Sequence, residues 1–206
     1  MLFRSTDGIV DEAALDDGGS NAPSGNETTT GSFVVTTGND SGTLQVYDAD
    51  LDAFKDIAAG GDTEVAGEYG TLTVTGDGSG GYSWSYTLSD NTLDHTDTST
   101  TDGDSDRGAA DQVFENFQTR VNDSDGDSTA DDGIDASETL TIAINDDGPT
   151  AVDVGPAKPA ENTEVVIDVK TASVEGADGV DWTNSGETDS VYLSANPGKG
   201  SVEYND

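Results

Sequence analysis

"YGTLTVTGDGSGGYSWSYTL", residues 69–88, is the stretch that decides the fold class. Leu72 and Val74 alternate with Thr71, Thr73 and Thr75. A run of Gly, Asp and Ser follows, and then Tyr82, Trp84, Tyr86 and Leu88 return at the same period of two. Alternation at that period places one set of side chains on a buried face, and the glycine-rich run between the halves has turn chemistry. The stretch therefore predicts a β-hairpin. Tyr82, Trp84 and Tyr86 read as core and cross-strand pairing, with a ligand platform as the alternative.

Further strands read outward from this hairpin. "GSFVVTT" (31–37) and "GTLQVYD" (42–48) are β-branched and aromatic runs bounded by Gly, Asn and Asp. "DQVFENFQTRVND" (111–123) puts Val113, Phe117 and Val121 on one face, and "SETLTIAINDDGPT" (137–150) does the same with Leu140, Ile142 and Ile144. Short strands separated by turn residues predict an all-β, antiparallel sandwich. Asp146-Asp147-Gly148-Pro149 ends pairing and marks a boundary. The expected units are residues 8–150 and a following unit over 151–206, opened by a strand from Val165 to Val169. That second unit reads as incomplete, and residues 1–10 read as a truncated start, so the sequence looks like a slice of a longer protein.

Composition narrows the function classes. The formal net charge is −36, from 43 acidic and 7 basic residues. Nucleic-acid binding rests on Lys and Arg neutralising phosphates, and an anionic membrane surface would repel this chain. Asp outnumbers Glu by 32 to 11, which favours turns and short carboxylate arms over helices. Only 32% of residues are hydrophobic, so folding is expected to depend on charge neutralisation around a small core. There is no cysteine to supply a disulfide or thiolate site. No apolar run approaches the roughly 20 residues of a membrane-spanning helix, and "MLFRS" is too short and too polar for a signal peptide.

The aspartates fall in a pattern. Asp48, Asp50 and Asp52 stand at alternate positions, as do Asp102, Asp104 and Asp106, and Asp123, Asp125 and Asp127 within "VNDSDGDSTADDGID" (121–135). In a turn, alternate carboxylates can curl around a hard cation such as calcium. The run is not an EF-hand. Counted from Asp123, the sixth position is Ser128 where Gly is needed, and the twelfth is Ile134 where Glu is needed. Solvated acidic loops are the alternative.

"VDEAAL" (10–15), "ETTTGSFVV" (27–35), the hairpin at 69–88, "DSDGDS" (123–128) and "ETLTIAINDDGPTA" (138–151) follow one another in a way that resembles the tandem acidic repeats of type I-secreted bacterial adhesins, grouped with RTX adhesins and VCBS- or cadherin-like repeats. The resemblance covers roughly residues 8–150. It implies an immunoglobulin-like sandwich, calcium in loops and at junctions between repeats, secretion to the bacterial surface, and a spacer role in cell adhesion or biofilm formation. The partners it implies are neighbouring repeats of the same chain. By position it assigns metal ligands to Asp11 and Glu12, to Asp123, Asp125 and Asp127, and to Asn145, Asp146 and Asp147. Glu161 lies in the corresponding place of the next unit, although "AKPAENTEV" departs from "VDEAAL". The acidic stretch 94–112 reads as a loop. On this reading the linker is flexible without calcium and rigid with it.

Three rivals remain. The same slice would serve as a calcium-dependent carbohydrate- or peptide-binding module if its aromatics were grouped on an exposed face. An acidic surface also suits solubility in high salt, though clustering at turns and junctions argues against an even halophilic coat. An enzyme is the least favoured: His95 is the single histidine and lies in a polar loop, and "GDGSGG" (76–81) lacks the helix that a phosphate loop opens.

Overall fold

The computed structural model describes residues 2–5, 7–36, 42–92, 108–123, 138–151, 160–161, 163–180 and 182. Almost all regular structure among them is β, in two five-stranded sheets that are mostly antiparallel. The hairpin forms as its alternation requires, with β7 (Gly70–Asp77) paired to β8 (Tyr82–Leu88). Leu72 lies opposite Tyr86 and Val74 opposite Trp84, and all four are buried. Asp77 shapes the turn, its Oδ1 accepting from the amides of Ser79 and Gly81 at 2.6 and 3.0 Å. Gly78 and Gly80 sit at φ +77° and +92°, the region that other residues resist.

The first sheet is completed by β1 (Leu2–Ser5), β3 (Thr28–Thr36) and β6 (Gly60–Ala66), in the order β1-β3-β8-β7-β6. The second sheet runs β2-β10-β9-β4-β5. It is built from β2 (Gly8–Asp11), β4 (Gly42–Asp48), β5 (Ala53–Asp56), β9 (Gly108–Asp123) and β10 (Glu138–Asp146). Its one parallel contact joins β2 to β10, with Ile144 beside Val10 and Asn145 beside Asp11. Inward residues of both sheets meet in a single core that includes Val10, Leu44, Val65, Leu72, Trp84, Tyr86, Phe117, Val121, Leu140 and Ile144. Burial of each large side chain contributes about 1.5–3 kcal/mol, so this core supplies the main driving force despite the low apolar content.

The aromatic stripe is interior: Tyr86 is 0% and Trp84 2% exposed. Two readings of the sequence change. Residues 108–110, expected in a loop, begin β9, where Gly108 pairs with Asp146 of β10 across a bulge. Residues 165–169, expected as a strand, lie outside any strand and expose Val165, Val166, Ile167 and Val169. β-branched propensity describes a fit to a neighbouring strand and cannot substitute for one. The second segment instead contributes β12 (Ser173–Val174), which pairs with β11 (Thr150–Ala151). No helix among the described residues is long and apolar enough to cross a membrane.

Candidate metal centre

The register of β2 against β10 builds the centre. Asp11 and Asn145 are paired neighbours, so the next residue on each strand, Glu12 and Asp146, emerges at the same end of the sheet. Glu12 opens a 3-10 turn, Glu12–Ala14, that is capped by Asp11. The Asp11 Oδ1 accepts from the Ala13 amide at 3.2 Å, satisfying a donor the turn leaves open. On the other flank, β9 and β10 lose register between Asn145 and Asp146, a bulge at the strand end.

Glu12 is 0% exposed and Asp146 7%. The Glu12 Oε1 accepts from the Thr92 amide at 2.6 Å and from its hydroxyl, and Oε2 accepts from the Asp147 amide at 3.3 Å. Asp146 Oδ2 accepts from the Gly148 amide at 3.1 Å. A third carboxylate arrives from downstream: Asp178, on the loop after β12, is half-buried. Carboxylate oxygens of Glu12, Asp146 and Asp178 all lie within 4.8 Å of one another. At that separation, like charges repel by roughly 3 kcal/mol per pair at an effective dielectric near 20. Three such pairs are sizeable against the stability of an ordinary domain, a repulsion that the amide donors on these carboxylates ease and a bound cation would reverse. A donor set made only of carboxylate oxygens suits a hard cation such as calcium, which takes six to eight oxygens.

The residues singled out by sequence divide clearly. Glu12 and Asp146 come together in the centre. Asp147 sits beside it, but its oxygens are held by the amide and hydroxyl of Ser20 at 2.7 and 2.6 Å and by the Ala177 amide at 3.1 Å. Asp11 caps the turn, and Asn145 accepts from Gln112 Nε2 at 2.6 Å. Asp123 ends β9, while Asp125 and Asp127 lie outside the described residues, as do Asp102, Asp104, Asp106 and His95. Glu161 is exposed and is not among the three grouped carboxylates. Asp178 takes the place expected of it. The signal for Asp178 is "EGADG" (175–179), an aspartate between glycines at φ +69° and +72°.

Two other buried carboxylates show what a satisfied acid looks like here. Asp48 accepts from the Leu51 and Ala66 amides at 3.1 and 3.3 Å and pairs with Lys55 Nζ at 3.2 Å. Burial alone would raise its pKa, but those amides and the Lys55 ammonium outweigh it and hold it below the ordinary value. Asp50 and Asp52 are exposed, and Asp52 accepts from the Tyr47 hydroxyl, so Asp48, Asp50 and Asp52 form a braced turn and no shared cation pocket. Glu115, on β9, crosses to the other sheet. It accepts from the Tyr86 hydroxyl and from the amides of Glu68 and Tyr69. A side chain at Gly67 would collide with the Glu115 carboxylate. Burial pushes the Glu115 pKa up against the lowering effect of those donors, and it raises that of Tyr86 as well. Set against protein-family models, curated proteins and solved structures, the chain has no match.

Proposed function

We propose that the chain is a calcium-stabilised extracellular spacer repeat of a large bacterial surface adhesin, with an immunoglobulin-like sandwich followed by the start of a second β unit. One observation carries this reading: Glu12, Asp146 and Asp178 gather from the beginning, the end and the following segment of one unit into a single carboxylate-lined centre. A cation held there would tie the unit's two ends and its successor together. Glu12 and Asp146 would hold it from the first unit, with Asp178 closing from the next, while Asp147 and Asp11 brace the backbone around them.

The charge pattern fits this role. A chain of net charge −36 gains compactness when a divalent ion is bound. An ion that binds the folded state alone stabilises it by mass action, by about 2.7 kcal/mol at a hundredfold excess over Kd. Burial of Tyr82, Trp84 and Tyr86 speaks for a spacer over the glycan-binding alternative, which needs exposed aromatic faces.

Thermal unfolding in millimolar calcium, in excess chelator and in matched KCl tests the proposal. Calcium should raise the melting temperature by roughly 5–10 °C over chelator, and KCl should not reproduce the gain. Equal melting temperatures in calcium and chelator would sink the calcium reading, and an equal gain from KCl would favour the salt-adapted alternative.

A further inference from the structure

The loop that brings Asp178 to the centre is itself seated on the first unit. The Ala177 amide donates to the Asp147 carbonyl at 2.9 Å and to its Oδ2 at 3.1 Å. Asn91 Nδ2 donates to the Ala177 carbonyl at 3.2 Å and to Asp178 Oδ1 at 3.4 Å. Ala177 packs against the hydrophobic core from its edge. Gly18 forms one wall, where an added side-chain carbon would meet the Ala177 backbone at 3.6 Å. Gly176 is buried at φ +69°, and a side chain on it would run into the Asp147 carbonyl. The site therefore reads backbone shape, admits a small residue at 177, and demands glycine at 176.

We infer that the end of the first unit is a receptor for a Gly-Ala-Asp turn of the segment that follows it, and that this hydrogen-bonded hook docks the segment without a cation. Its donors are two amide groups, one from the main chain and one from Asn91, and neither changes charge when an ion binds. The hook sets the orientation, and the short β11–β12 ladder just before it limits the reach of the linker. Asp178 is thereby delivered to Glu12 and Asp146 as a consequence of docking. The partner this surface fits is a following unit of the same chain that carries a glycine, a small residue and an aspartate in one turn. The inference stands on hydrogen bonds and packing and does not need the calcium reading to hold.

Hydrogen–deuterium exchange on the full chain tests it, read at peptides covering 175–179 and, as an internal control, 138–146. In excess chelator the wild-type loop should exchange at least about tenfold slower than an unstructured peptide. Gly176→Val should remove that protection while residues 138–146 keep theirs. Asn91→Ala, which removes a neutral side chain and leaves every carboxylate in place, should speed exchange of the loop several-fold and provides the deciding comparison should Gly176→Val unfold the whole chain. Wild-type exchange at the unprotected rate in chelator would overturn the inference, and so would an unchanged loop in Asn91→Ala. Protection that appears only with calcium defeats the hook and leaves the calcium reading intact. Protection in chelator with a melting temperature indifferent to calcium does the reverse.

Discussion

Replacing Glu115 by alanine would test how the two sheets are joined. The carboxylate is the shared acceptor for the Tyr86 hydroxyl and for the Glu68 and Tyr69 amides, and Tyr86 is 0% exposed. A buried hydroxyl left without its acceptor costs about 1–3 kcal/mol, and each turn amide that loses a charged acceptor adds about 1. Relief of the buried charge works the other way, leaving a net loss of about 3 kcal/mol, or roughly 6–12 °C in Tm for a domain of this size. Urea unfolding followed by the fluorescence of buried Trp84 measures it, with calcium held constant. Glu115→Gln keeps the shape and removes the titration. Because burial raises the folded-state pKa of Glu115 above its ordinary 4.5, the group's stabilisation is fully present below that value. It declines as pH rises through the folded-state pKa. The glutamine variant should therefore gain on wild type as pH rises above the ordinary 4.5. A loss below about 0.5 kcal/mol for Glu115→Ala would refute the joint, and a gap between wild type and Glu115→Gln that ignores pH would refute the buried-charge argument.

Other outcomes follow from the same geometry. Glu12→Gln should shrink the calcium-dependent gain in Tm to a minor fraction while remaining folded in chelator, where one of three repelling charges has gone; a gain equal to wild type in a calcium titration would exclude Glu12 as a ligand. Asp48→Asn should cost about 1–3 kcal/mol near neutral pH, since the folded-state pKa is depressed. That cost should fade as pH falls below the ordinary 3.8, where wild type also loses the charge. Equal destabilisation across the range in denaturant melts would contradict the Lys55 pairing. Leu140→Ala, at a wholly buried position of β10, should cost about 2–5 kcal/mol in the same assay.

The strands that alternate strongly were legible. Leu72, Val74, Trp84, Tyr86, Phe117, Val121, Leu140, Ile142 and Ile144 were all placed inward by period alone, and all are buried. Weaker strands were not. β6, "GGDTEVA", carries glycines and acids and turns only Val65 fully inward, and β5 is a short edge that draws support from Arg120 lying 3.9 Å over the Phe54 ring. Edge strands owe their existence to a neighbour's open hydrogen bonds, which no local pattern reveals. Glu12 and Asp146 were named only through the resemblance to adhesin repeats, and the β2–β10 register is what brings them together. Asp178 was not named, since its approach depends on a β11–β12 ladder of two residue pairs and on a glycine whose freedom matters only against the Asp147 carbonyl. Asp11, Asn145 and Asp147 lie beside the centre, where each already accepts a hydrogen bond, as Glu12 does.

The parallel contact between β2 and β10 has a mechanical meaning. Tension applied at residue 8 and at residue 146 enters at the start of one strand and leaves at the end of its parallel neighbour. The load therefore acts along the strands, and the hydrogen bonds holding Gly8–Asp11 against Ile142–Asn145 must be sheared together. An antiparallel pair pulled from one end opens bond by bond, each bond bearing the load in turn. Simultaneous loading raises the barrier to forced unfolding, which is set by the unfolding rate and not by equilibrium stability.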